Sequence, residues 1–152
     1  MRFLILAFLL LAGPGPYVKS NGFLLPNPKL TPGAVRSTDT ALYCHQRTSV
    51  VRHTSRALKD SVYREFGFSY TRHPKGEVDH LVPLEVGGAD VLRNLWFEPE
   101  PEFWAKDSVE NWARKQVCKG LLNGVYVQEL FKKDWTHLYL HQKRRTLPYT
   151  PK

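Results

Sequence analysis

The sequence predicts one α+β domain, and three observations carry that prediction. Segments 77–82 and 92–97 read as short strands separated by the Gly87-Gly88 turn, while 55–66 and 101–119 repeat their apolar residues at helical spacing. A length of 152 residues with 42% apolar side chains suits a single packed core. The two cysteines, Cys44 and Cys118, are even in number and far apart, which points to a disulfide staple in a chain that enters an oxidising compartment. Such a loop adds about 4 kcal/mol in the chain-entropy description. The competing use of two cysteines, a metal site, lacks a C-x-x-C spacing.

The N-terminus differs in kind from the rest. Met1-Arg2, an unbroken apolar run over 3–12 and a Gly/Pro stretch over 13–16 describe a secretory signal peptide, taken as residues 1–20. The run falls short of the roughly 20 apolar residues that span a bilayer, and the alternative is an uncleaved anchor that includes the flanks. Cleavage is placed within 13–20, where no clean small-x-small site marks the bond. Residues 21–36 hold three prolines and little periodicity, so they read as an extended leader without regular structure. The domain proper is 37–142, and 143–152 is a basic flexible tail. The mature protein is therefore expected outside the cell with no stable membrane association; its oligomeric state is not legible.

Along the domain, Leu58, Val62, Tyr63 and Phe66 form the apolar stripe of a helix over 55–66, with Thr54 or Ser55 as N-cap and Gly67 as the stop. Its polar face carries Arg56, Lys59, Asp60 and Arg64. After a loop over 68–75 come the two strands, ended by Pro99 and Pro101. Pro101 opens a long helix to about residue 119, with Gly120 as C-cap, whose stripe is Phe103, Trp104, Val109, Trp112, Ala113 and Val117. Trp96, Trp104 and Trp112 follow the apolar pattern and are read as core. A shorter helix is predicted over 127–135.

The chain has 22 basic and 14 acidic residues and stays positive when Arg2 and Lys19 leave with a signal peptide. Arg36, Arg47, Arg52, Arg56, Lys59, Arg64, Arg72 and Lys75 precede residue 79, Lys132, Lys133, Lys143, Arg144 and Arg145 lie near the end, and Glu98, Glu100 and Glu102 form an acidic stretch between. That balance draws polyanions such as nucleic acid, anionic lipid or acidic glycan; the bland reading is a solvated surface.

The densest motif is EVDHLVPLEVGGADVLRN at 77–94, in which the Asp79-His80 pair stands fourteen residues before Asn94. Together with DHLVPLEVGGADVLRNLWFEP, AKDSVENWARKQVCKG and ALYCHQRTSVVRHTSRALKDSVYREFG, it resembles the secreted branch of the HNH-type endonucleases over 42–135. The resemblance implies a ββα-metal (HNH, or His-Me finger) core with flanking helices, one divalent ion, and hydrolysis of nucleic acid. His80 is then the general base, since imidazole accepts a proton near neutral pH. Asp79 offers a hard oxygen to Mg²⁺ or Mn²⁺, and Asn94 matches the family's middle Asn, which fixes the loop and orients the base. Neighbours on a strand point to opposite faces, so Asp79 and His80 share one centre only where the strand ends or distorts.

The chain departs from the family pattern at the third position, where the long helix reads AKDSVEN without a histidine. Asp107 is the preferred substitute ligand, then Asn111, then Glu110; the alternative is that Lys106, Asp107 and Glu110 form a solvated ion network. Arg93, Arg114 and Lys115 are candidates for holding phosphate. Glu85 reads as loop support, and His137 and His141, at i and i+4, make a weak metal pair without an adjacent Glu. The function implied is a secreted, metal-dependent endonuclease acting on DNA, or on RNA, with little sequence specificity. The alternative is a non-catalytic cationic effector or nucleic-acid-binding protein on a decayed HNH fold.

Overall fold

The computed structural model describes residues 15–148. It opens with a hairpin, β1 (Tyr17–Ser20) and β2 (Phe23–Pro26), paired antiparallel with Ser20 opposite Phe23. Asn21 and Gly22 have φ of 49° and 86°, the paired left-handed residues of a type I′ turn. Here the structure departs from the irregular leader expected over 21–36. An Asn-Gly turn between apolar residues outweighs the prolines, because Pro26 sits at the end of its strand, where it interrupts little pairing. The Tyr17 ring lies 5.2 Å from Phe66 and 6.4 Å from Trp96, and its hydroxyl donates to the Phe97 carbonyl at 2.9 Å. Residues 17–20 thus belong to the fold, so only cleavage before Tyr17 leaves the hairpin whole; residues 1–14 of the expected signal peptide lie outside the described residues. Thr31, fully buried, donates to the Leu95 carbonyl at 3.1 Å, and Val35 bridges to Gly88. The leader is a wall of the domain.

Two helices follow. α1 (Thr40–His45) is capped by Asp39, and α2 (Arg56–Glu65) by Ser55, whose hydroxyl accepts from the Leu58 amide at 3.1 Å. Gly67, with φ of 80°, stops α2 as its composition predicts. β3 (Gly76–His80) then pairs antiparallel with β4 (Leu95–Pro99), in register from Gly76 opposite Pro99 to His80 opposite Leu95. α3 (Glu102–Cys118), α4 (Gly124–Asp134) and α5 (Thr136–Arg144) complete the mixed α+β architecture. Lys143 and Arg144 close α5 instead of opening a flexible tail, and Gln142 is tied to the Ser108 carbonyl at 2.9 Å; residues 149–152 lie outside the described residues.

The core joins both layers: Val62, Trp96, Phe97, Val109, Ala113, Phe131, Trp135 and Leu138 are buried. The Cys44–Cys118 disulfide, with Cα atoms 5.7 Å apart, staples α1 to the end of α3. No helix among the described residues is long and apolar enough to cross a membrane. One core expectation fails: Trp96 is buried and Trp112 half-buried, but Trp104 is 64% exposed. The buried side of α3 runs through Glu102, Lys106, Val109, Ala113 and Val117, at steps of three and four. Two charged residues occupy the inner stripe, which turns Trp104 outward.

Candidate active site

Asn94 organises the loop that leaves β3. Its Oδ1 accepts from the Val82 amide at 2.9 Å and the Ala34 amide at 3.1 Å, while its Nδ2 donates to the carbonyls of Val82 at 2.9 Å and Ala89 at 2.8 Å. Every donor and acceptor of this fully buried amide is used. Asn94 therefore shapes the loop and touches no reacting group. The fold of the loop also depends on Gly88, where an added Cβ would stand 1.9 Å from the Val82 carbonyl oxygen.

That loop delivers Asp90 to His80. His80 Nε2 donates to Asp90 Oδ1 at 2.8 Å, and the same carboxylate accepts from the Thr54 hydroxyl at 2.6 Å and from the His53 amide. Burial raises the Asp90 carboxyl, but the bonds from Thr54, His80 and His53 outweigh it and hold it below its ordinary range. His80 is only 2% exposed. Burial lowers its pKa below 6.5 despite the opposing pull of Asp90 and Asp79, so the ring is neutral near neutral pH.

Asp79 turns to the other side, towards α3. There Lys106, fully buried, donates from Nζ to Asp79 Oδ2 at 2.5 Å, to the His80 carbonyl at 2.8 Å and to Glu110 Oε1, with Glu98 Oε2 at 3.9 Å. Burial opposes the charge on Lys106, but the surrounding carboxylates raise its pKa well above the ordinary value. Burial likewise works against Asp79, and the charge and hydrogen bond of Lys106 keep it ionised. Glu110 is pushed up to about 8 by burial, with Lys106 opposing. Glu98 is raised well above its ordinary value, first by burial, and its oxygens have no hydrogen-bond partner among the described residues. The centre holds one ammonium against one ionised carboxylate and two carboxyl groups whose pKa values burial raises.

The residues that the sequence proposed as ligands do not gather around an ion. Asp107 and Asn111 are exposed, and Asn111 Nδ2 donates to the Asp107 backbone carbonyl at 2.9 Å. One residue along a helix is about a 100° rotation, so with Lys106 facing inward Asp107 faces away. Among the described residues no group of three or more His, Cys, Asp or Glu side chains is set to hold a metal. A divalent ion beside Asp79 would have to displace the Lys106 ammonium, and the residues as arranged do not fit one. The solvated network weighed for Lys106, Asp107 and Glu110 is also revised: Lys106 and Glu110 pair, but in the interior.

Other candidates are scattered. Arg93 is exposed on the turn before β4, whereas Arg114 and Lys115 border a cleft of about 230 Å³ with Asn111 and the disulfide. Arg114 donates to the Cys44 carbonyl at 3.2 Å. Glu85 keeps a buried oxygen without a hydrogen-bond partner among the described residues, and burial raises its pKa against the pull of Arg114. His137 lies 3.5 Å from Asp134, and His141 bonds Thr146 at 2.9 Å, so the pair shares no ligand position. Sequence reading missed Asp90 and undervalued Lys106. An available signal was Lys106 and Glu110 at i and i+4 on the stripe that also carries Val109 and Ala113. Comparison with protein-family models, curated proteins and solved structures found no match.

Proposed function

We propose that the protein is a secreted endonuclease that hydrolyses phosphodiester bonds in DNA, with RNA as the other substrate, and with little sequence preference. The observation that carries this reading is the His80–Asp90 pair at the end of β3, on a strand, strand, helix unit formed by β3, β4 and α3. Hydrolysis needs a water stripped of a proton and a positive field on the phosphate. With Nε2–H committed to Asp90, the lone pair lies on Nδ1, the atom left to take the proton. Asp90 positions the ring and stabilises it once charged, and burial keeps the resting ring neutral. Arg52, whose charge acts on both His80 and Glu77, is the cation available to the phosphate. The divalent ion implied by the resemblance is assigned no step.

Two observations favour a second reading, a non-catalytic cationic nucleic-acid-binding protein on the same fold. His80 is 2% exposed, so water reaches it only after a local movement, and Lys106 fills the space beside Asp79. A plasmid-cleavage assay with Mg²⁺, Mn²⁺, Zn²⁺ or EDTA separates the two. The hydrolytic reading expects cutting that His80→Ala abolishes and Asp90→Asn lowers by about 10²-fold or more, with the circular dichroism of both variants unchanged. Cutting by His80→Ala at the parent rate overturns it, and tight DNA binding with no cutting under any condition supports the second.

A further inference from the structure

A cavity of about 450 Å³ lies on the outer face of α2, bordered by Arg56, Asp60, Arg64, Ser69, Tyr70 and Thr71. Two guanidinium groups and one carboxylate meet there, on the polar face of the helix. Neither guanidinium hangs free in solvent. Arg56 sits 4.3 Å from the centre of the Tyr70 ring, and Tyr70 is braced edge-on by Tyr63 at 5.8 Å. Arg64 is steadied by its own helix, Nε donating to the Asp60 carbonyl and Nη2 to the Ser61 hydroxyl, both at 3.3 Å. The opposite wall is a tight turn in which Ser69 and Arg72 exchange backbone hydrogen bonds at 3.1 Å and 3.0 Å, presenting Thr71 at its tip.

The position of this groove gives it meaning. Ser55 caps α2, and the residue before it, Thr54, holds the Asp90 carboxylate that holds His80. Arg52 lies just upstream, and its charge is felt at His80. In chain order Arg52, Arg56 and Arg64 therefore lead from the segment that holds the His80–Asp90 pair into α2, the last two at this cavity. Exposed Lys59, Arg72 and His73 lie beside them in sequence. A planar guanidinium resting on an exposed tyrosine adds a flat face, which suits a nucleobase next to its phosphate.

We propose that this groove binds the sugar-phosphate backbone of a nucleic-acid strand and leads that strand to His80. Arg56 and Arg64 contact successive phosphates, and the Arg56–Tyr70 stack receives a base. The proposal rests on the nucleic-acid reading given above, but it concerns binding and is tested without cleavage.

The test measures binding of fluorescent 20-residue single-stranded and duplex DNA to the full chain carrying His80→Ala, by polarisation across a salt series. Arg56→Glu with Arg64→Glu should weaken binding by about tenfold or more, and should flatten the salt dependence by about two phosphate contacts' worth of slope. Lys29→Glu with Lys133→Glu makes the same change in net charge on exposed positions elsewhere and should cost less than about threefold. Melting temperatures confirm that both double variants remain folded. Equal losses in the two double variants overturn the groove and leave general cationic attraction. A protein that binds neither DNA nor RNA at low salt overturns the nucleic-acid reading itself. Heparin bound tenfold tighter than either DNA, unaffected by the Arg56 and Arg64 changes, overturns the groove in favour of a glycan surface elsewhere.

Discussion

Asp79 and His80 are adjacent on one strand, yet they end in opposite situations. His80 meets one carboxylate, delivered by a loop, and keeps a neutral ring with one nitrogen uncommitted. Asp79 meets an ammonium delivered by a helix, and that ammonium is already shared with Glu110 and the His80 carbonyl. One half leaves a ring nitrogen uncommitted, and the other is closed upon itself. The cause is the alternation of a strand: successive side chains face opposite ways, so the two residues meet different elements. Adjacent residues matching a family pattern are thus no guarantee of a shared centre. Whether they cooperate depends on what the facing helix presents, and here it presents Lys106.

The most severe way to break the Asp79 half is to remove its cation. Lys106→Met leaves Asp79 beside two further carboxyl groups without compensation, and loss of one partner from a buried ion pair costs about 3–5 kcal/mol. Urea unfolding should register that loss. The smaller Lys106→Ala opens space between Asp79 and Glu110, so Mn²⁺ should raise its melting temperature and leave the parent's unchanged. A parent whose melting temperature falls when EDTA is added would show that an ion, not Lys106, neutralises this centre.

Proton linkage sharpens the same contrast, because the two halves respond to pH in opposite directions. Glu110 has its pKa raised from 4.5 to about 8 in the folded state. The folded chain therefore holds a proton that the unfolded chain releases, and this contribution is complete below about pH 4.5 and lost as pH rises to about 8. His80 has its pKa lowered from 6.5, so its contribution is present above that value and is lost as pH falls towards the folded pKa. The parent should therefore lose stability between about pH 6.5 and 8.5, and Glu110→Gln should make that decline shallower, with the buried Glu98 carboxyl supplying the remainder. Urea midpoints at the two pH values decide it; an undiminished decline in Glu110→Gln would place the titrating group elsewhere.

What was legible in the sequence followed from local rules. The span of α2, its Ser55 cap and its Gly67 stop came from spacing and capping chemistry, and β3, β4 and α3 emerged within a few residues of their bounds. The β1–β2 hairpin was missed because a signal peptide and three prolines dominated a segment whose decisive element was a two-residue turn. Asp90 was missed because its role arises from contacts with His80, Thr54 and His53, and the last two lie 36 and 37 residues away. The sequence offers Lys106 only within an alternative, a solvated ion network, and lysine is rarely buried. Three acceptors and the nearby Glu98 carboxyl made it an exception, and all of these but Glu110 come from β3 and β4, which no helical pattern displays.

The smallest effect belongs to the residue on which the metal expectation leaned most. Asp107 is exposed, and its pKa is raised by partial burial and then by the negative charge of Asp79, with the Lys106 ammonium opposing. A ligand would have to share a centre with Asp79, whereas residue 107 stands about 100° round the helix from the inward-facing Lys106. Asp107→Ala should therefore change stability by less than about 0.5 kcal/mol. Its cleavage rate and response to Mn²⁺ should equal those of the parent. A loss of activity that added Mn²⁺ restores would return Asp107 to the centre, and would require α3 to rotate so that residue 107 rather than 106 faces Asp79.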